Sequence, residues 1–173
     1  MKINVGCGAD KKKGYLNVDS EKSSAADKIV NLNKYPWPFK KNSCEEFFCS
    51  HVLEHLNDPV KAIVEMHRVL KPGGLLAVIA PFYSSPGAFY DLTHKHFFGY
   101  RSFDSFCDGR SYNYMAKGVK FKYKRRQLVF AKTHQLIGIS FLANRFPVIY
   151  EDFFAGIFPA REVRFVMEAV KGE

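Results

Sequence analysis

Three clusters in this sequence hold residue types that do chemistry. The first is Gly6-Cys7-Gly8, directly after Lys2-Ile3-Asn4-Val5. Glycines where a strand turns toward a helix let backbone N–H groups approach a ligand closely, the common basis of nucleotide-type sites. Two such sites are excluded: Lys11 stands where the dinucleotide fingerprint needs its third glycine, and no G-x-x-x-x-G-K-[ST] occurs. An adenosine ligand survives, with Asp19 accepting hydrogen bonds from ribose hydroxyls. The second cluster, His51-Val52-Leu53-Glu54-His55, literally matches H-x-x-E-H, a zinc-peptidase signature with two His on one helical face and Glu as base. Asp58-Pro59 follows at once and leaves little room for a zinc-binding helix. The simpler expectation is that Glu54 and His55 orient a helix start and line a pocket, with no metal. The third cluster is Asp91-Leu92-Thr93-His94-Lys95-His96.

These clusters need elements to hold them at one edge. Lys2 to Val5 and Tyr15 to Val18 read as short strands, the second ending at Asp19, and Lys28 to Leu32 as a weaker third. Glu46 to Ser50 is a fourth. Tyr35-Pro36-Trp37-Pro38-Phe39 carries two prolines that forbid regular structure and mark a packed loop. Asp58 and Pro59 supply an N-cap and a first helical residue, and Val60, Ile63, Val64, His67 and Leu70 recur at helical spacing, so 59–70 is an amphipathic helix. Lys71-Pro72-Gly73-Gly74 stops it. Leu75 to Ala80 is a continuous apolar run, the pattern of a strand covered on both faces. Asp19 follows Gly8 by 11 positions, where a dinucleotide fold places its acid roughly 20 on, so the first helix is drastically shortened. Residues 81–115 form a long loop with short helices, Lys120 to Phe130 a half-exposed strand, Thr133 to Asn144 a helix, and Glu162 to Val170 a final strand. The element order is that of the α/β class, in one domain over 1–173.

Asn4-Val5-Gly6-Cys7-Gly8-Ala9-Asp10, Asn17-Val18-Asp19, His51 to His55 and Glu65-Met66-His67-Arg68-Val69-Leu70-Lys71-Pro72-Gly73-Gly74-Leu75 together resemble class I S-adenosylmethionine-dependent methyltransferases of the type 11 group. The resemblance covers roughly residues 1–110 and lies in the ordered set of motifs; it implies a Rossmann-like α/β fold with a mostly parallel central sheet and an antiparallel C-terminal edge, divided into a cofactor half (1–80) and an acceptor half (81–173). It implies S-adenosyl-L-methionine as cofactor, with Gly6, Cys7 and Gly8 beside its methionine part, Asp19 on the ribose, and Asn31 with the Leu32 backbone facing the adenine. Ser50 and His51 would lie beside the methionine moiety. Asn4 and Asn31 stand where the family often has acids. Some class I methyltransferases use a Glu-x-x-Glu-His segment with another His to hold a divalent cation; here His51 replaces the first Glu. Methyl transfer from a sulfonium is an in-line displacement in which positioning dominates, and an oxygen nucleophile also needs a base. His94 is the expected base or substrate orienter, with His51 and His55 as the other catalytic candidates. The acceptor is expected to be an O or N atom of a small or glycan-like molecule. The alternatives are an RNA methyltransferase and a cofactor-binding partner subunit without catalysis.

Lys and Arg total 26 against 17 Asp and Glu, a net charge of +9. Seven of the basic residues (Lys117, Lys120, Lys122, Lys124, Arg125, Arg126, Lys132) fall between Ser111 and Lys132, where no acid occurs. This stretch reads as a solvated edge strand, as an RNA-binding surface with Phe121 and Tyr123 for stacking, or as a site for a phosphorylated or lipid-linked substrate. The aromatic tail around Phe146, Tyr150, Phe153 and Phe158 permits a homodimer interface or transient membrane contact. Cys7, Cys44, Cys49 and Cys107 show no metal-ligand rhythm and fit reduced thiols. No secretory signal is visible and no apolar run nears the ~20 residues of a membrane span, so the expected location is cytoplasmic.

Overall fold

The computed structural model describes residues 1–22, 24–107 and 116–172. Seven strands form one sheet: β1 (Lys2–Val5), β2 (Leu16–Asp19), β3 (Lys28–Ile29), β4 (Cys44–Ser50), β5 (Leu70–Pro81), β6 (Lys120–Val129) and β7 (Glu162–Val170). Their order is β3-β2-β1-β4-β5-β7-β6. The first five are parallel, and β7 runs antiparallel between β5 and β6. The reversed strand therefore stands one place in from the edge, and β6 is the edge itself. The central strands alternate: Ile3, Val5, Phe47, Cys49, Leu76 and Val78 share one fully buried face, while Phe48, Ala77 and Ile79 on the other are half-buried, so the apolar run over 75–80, expected to be covered on both faces, is fully covered on one.

Helix α1 (Pro59–Val69) starts where Asp58 accepts the Lys61 N–H at 2.9 Å with Pro59 at its first position. It buries Ala62, Ile63, Met66 and Val69. Its Glu65 carboxylate takes the Trp37 N–H at 2.6 Å and pairs with Arg68 at 2.7 Å, whose guanidinium also donates to the Phe39 carbonyl. That network holds the two-proline loop expected as packed, with Trp37 buried beneath it. On the same helix, His67 Nε2 lies 3.1 Å from the carbonyls of both Lys120 and Val170 and so ties α1 to β6 and β7.

Four local expectations change. No helix joins β1 to β2. The buried Asn17 amide instead accepts from Asn4 Nδ2 (2.9 Å) and the Lys12 N–H (2.7 Å), so residues 8–15 close as turns. The third strand pairs only over Lys28–Ile29, because Asn31 turns the chain by accepting the Asn33 N–H at 3.0 Å. β5 begins at Leu70: Cys44 pairs with Leu70 and Glu46 with Leu75, leaving Lys71 to Gly74 looped out as an irregularity. The helix expected over Thr133–Asn144 is two, α4 (Lys132–Leu136) and α5 (Ile139–Arg145), broken where Gly138 adopts φ +78°. Residues 81–107 hold short helices α2 (Gly87–Tyr90) and α3 (Asp104–Cys107), while 108–115 of the expected loop lie outside the described residues.

The basic strand does not offer a stacking platform. Phe121 is fully buried, and the Tyr123 ring lies under the Arg126 guanidinium with its hydroxyl donating to Asp104 at 2.9 Å. Alternation puts the aromatic rings into the core and leaves the lysines outside, which removes the stacking basis of the RNA reading.

Candidate active site

Parallel strands present their carboxyl ends at one edge, where open α/β sheets bind ligands. Gly6, Asp19 and His51 all sit at or just beyond such ends, and the antiparallel β7 brings its first residue, Glu162, to the same edge opposite Pro81. Two cavities open there.

The first, of about 520 Å³, is bounded by Asn4, Gly6, Cys7, Ser50 and His51, with Lys11 and Lys12 from the loop. Gly6 is at φ +64°, and a Cβ there would collide with the Val52 side chain, so geometry and space both demand glycine. Gly8, at φ +51°, donates its N–H to Asp19 Oδ2 at 2.8 Å, and Glu21 N–H reaches Oδ1 at 2.9 Å. Backbone donors thus fix both carboxylate oxygens, and each keeps a second lone pair for a ligand hydroxyl. Lys11, free of any helix to crowd, pairs with Asp27 at 2.6 Å. Asn31 is exposed and Leu32 gives its carbonyl to the Trp37 indole at 3.3 Å; neither bounds this cavity. The structure therefore gathers Gly6, Cys7, Ser50 and His51, links Asp19 to them through Gly8, and leaves Asn31 and Leu32 outside the cavity lining. Burial pushes the Cys7 thiol pKa up.

The second cavity, of about 430 Å³, is lined by His51, Ser85, Tyr90, His94, Arg161 and Glu162 among others. His51 belongs to both cavities. Its backbone is at φ +55°, a rare conformation for a non-glycine residue, held by its N–H to the Ile79 carbonyl at 2.9 Å. Its Nδ1 stands 3.3 Å from Glu54 Oε1 and its Nε2 3.5 Å from Glu162 Oε1. The Glu54 carboxylate beside it raises its pKa above the ordinary 6.5, burial opposes this, and Glu162 adds to the rise.

The zinc-peptidase arrangement is absent among these residues. Only Leu53–His55 form a helical turn, so His51 faces the cavities while His55 turns to His94, ring centroids 4.7 Å apart. What brings His94 there is a strap. The Glu54 carbonyl accepts the N–H groups of Lys95 (2.7 Å) and His96 (3.3 Å), and the Leu56 carbonyl lies 3.0 Å from His96 Nε2. His96 is thus a fastening and does not reach either cavity. His94 Nδ1 lies 2.9 Å from the Ala88 carbonyl. His55 Nδ1 lies 2.8 Å from the Thr93 hydroxyl, which donates to Asp91 at 2.7 Å.

Arg161 and Glu162 escaped the sequence reading because no local motif surrounds them. The signal available was topological: an antiparallel last strand starts at the edge where the parallel strands end.

Residues 4–78 match a family model described as a methyltransferase domain. A curated relative, the ubiquinone/menaquinone biosynthesis C-methyltransferase of Psychromonas ingrahamii, is 31% identical over 94 residues, covering 53% of this chain and 38% of the relative. The chain thus spans well under half the length of the curated relative it matches. Among solved structures, a SAM-dependent methyltransferase from Archaeoglobus fulgidus aligns with a TM-score of 0.60 at 15% identity, over 96% of this chain and 85% of that one. The [4+2]-cyclase SpnF aligns equally well, with a TM-score of 0.60 at 16% identity over 99% of this chain and 74% of that one. These structural likenesses establish the fold.

Proposed function

We propose that this protein, whose residues 4–78 match the methyltransferase-domain model, binds S-adenosylmethionine at the glycine loop and transfers its methyl group to an oxygen or nitrogen of a small or glycan-like acceptor. One observation carries the reading: His51 is shared by a cavity edged with the glycine loop and a second cavity edged with polar groups. Asp19 is preset to hold ribose hydroxyls. Gly6, Cys7 and Ser50 border the methionine end. Asn31 and Leu32 serve the adenine only from outside the cavity, so their part rests on the family resemblance. The acceptor occupies the second cavity, its nucleophilic atom toward His51. The sulfonium S–CH3 bond breaks as the new bond to the acceptor forms, and the acceptor proton passes to the His51 imidazole, which Glu54 and Glu162 then stabilise as a cation. His94 and His55, held by their Nδ1 partners, orient the acceptor.

A carbon acceptor is the second reading, favoured by the similarity to a C-methyltransferase. A cofactor-binding chain without methyl transfer is the third, since a cyclase shares the fold. Thermal shift and label transfer separate them. S-adenosylmethionine and its demethylated product should each raise Tm, and Asp19→Ala should abolish both shifts; no shift with either ligand overturns the proposal. Methyl-labelled cofactor incubated with fractionated cell extract should then deposit label on an O or N atom of a small-molecule product. Label on carbon supports the second reading, and cofactor binding without label transfer the third.

A further inference from the structure

Arg161 is fixed by its backbone and left open at its guanidinium. Its N–H donates to the Val129 carbonyl at 2.7 Å and its carbonyl accepts the Phe82 N–H at 3.1 Å, which pins it between the end of β6 and the residue after β5. The preceding Ala160 N–H donates to the Tyr150 hydroxyl at 2.9 Å, which in turn donates to the Phe158 carbonyl at 2.8 Å. The guanidinium has no acid, amide, carbonyl or ring partner among the described residues. Every other described arginine rests on an acid, an amide or a ring.

The adjacent acid does not neutralise it. Glu162 Oε2 is taken by Arg164, 2.8 Å from Nη2 and 3.1 Å from Nε, and Oε1 lies 3.5 Å from His51 Nε2. Asp91, outside the lining, has Oδ1 taken by Thr93 and Oδ2 4.0 Å from His94 Nε2. Arg161 therefore brings one unanswered positive charge to the cavity of about 430 Å³ that it lines with His51 and His94. Ser85 lines the same cavity and is buried. Its Oγ accepts the Gly87 N–H at 3.1 Å, and its own proton meets no acceptor among the described residues. A buried hydroxyl with an unspent proton is a donor that a ligand can complete.

We propose that Arg161, with Ser85, binds a carboxylate of the methyl acceptor, a group separate from the atom that is methylated. The planar guanidinium offers two parallel N–H bonds that match the two oxygens of a carboxylate. A phosphate monoester, with about two negative charges at pH 7, suits the cavity less, because one cation answers it and Glu162 stands beside it. Held at Arg161, the acceptor is oriented with its nucleophilic atom toward His51 on the same cavity wall, and neutral analogues are rejected. This orientation rests on the reading of the second cavity as the acceptor's; carboxylate binding itself does not.

The test uses the full chain at pH 7 and constant ionic strength, titrated without cofactor and followed through the ring-proton signals of three probes: benzoate, benzamide and phenyl phosphate. Benzoate should bind saturably, benzamide at least about 10-fold more weakly, and phenyl phosphate no more tightly than benzoate. Arg161→Gln should weaken benzoate binding about 10-fold or more, with Arg161→Lys, which keeps the charge but loses the fork, in between. Absence of benzoate binding to the unmutated chain, benzamide binding equally well, tighter binding of phenyl phosphate, or indifference to Arg161→Gln overturns the site. Because the probes are compared on the unmutated chain, misfolding of a variant does not decide the outcome. A chain that binds benzoate but shows no thermal shift with S-adenosylmethionine overturns the proposed function and leaves the carboxylate site standing. A methyl-labelled product that carries no carboxylate overturns the anchoring role and leaves methyl transfer standing.

Discussion

Gly6 shows how narrowly one residue can be specified. Its φ of +64° costs a residue with a side chain about 1–2 kcal/mol, and an added methyl would also displace Val52, which is buried in the core. Gly6→Ala should therefore destabilise the chain by roughly 2 kcal/mol or more in urea unfolding and also lower cofactor affinity. A variant with wild-type stability would mean that the loop relaxes freely. Gly8, at φ +51°, meets nothing in the space its Cβ would fill, so Gly8→Ala bears only the backbone cost. Glycine loop and acid were legible from sequence because both sit at strand ends set by local pattern. The Glu54, His55 and His94 cluster was not: residues some 40 positions apart meet through backbone bonds from the Glu54 carbonyl, and hydropathy carries no trace of them.

At the scale of elements, α1 illustrates a helix held as much by polar contacts as by its apolar stripe. His67 was expected as one position of that stripe. It is buried, and its Nε2–H is shared between the terminal carbonyl regions of β6 and β7. Burial lowers its pKa below the ordinary 6.5, the two carbonyls oppose this, and Lys171 nearby reinforces the lowering. In the unfolded chain the imidazole binds its proton at higher pH than in the folded one. Stability therefore falls as pH drops below about 6.5, with a slope of at most about 1.4 kcal/mol per pH unit for one site. His67→Gln, which keeps a donor but cannot titrate, should show a shallower loss than wild type between pH 6.5 and 5 in denaturant midpoints. Equal slopes would assign the acid sensitivity elsewhere. The strands and α1 were readable because periodicity and capping are local. The first helix was readable as drastically shortened from the spacing of Gly8 and Asp19; its complete replacement was not, because the buried Asn4–Asn17 pair depends on two strands lying side by side.

For the molecule as a whole, the C-terminal half exposes basic side chains first and apolar ones after them. The edge strand β6 exposes Lys120, Lys122, Lys124 and Arg125, while the segments after it expose Leu136, Ile137, Phe141, Phe153 and Ile157. Those segments also enclose a cavity of about 380 Å³ lined by Leu142, Phe146, Ile149 and Phe154. No helix among the described residues is long and apolar enough to cross a membrane. Exposed apolar side chains in this number, on a chain of net charge +9, suit the surface of an anionic bilayer, where each nearby Lys or Arg adds about 1 kcal/mol and aromatic rings enter the headgroup boundary. The protein should therefore co-sediment with vesicles containing phosphatidylserine and far less with neutral ones, and salt should weaken the binding. Phe141→Ser with Phe153→Ser should reduce it without touching the cofactor site, which thermal shift with S-adenosylmethionine would verify. Indifference to lipid charge, together with a dimer in light scattering that the same pair of substitutions splits, would assign the face to a second copy of the chain.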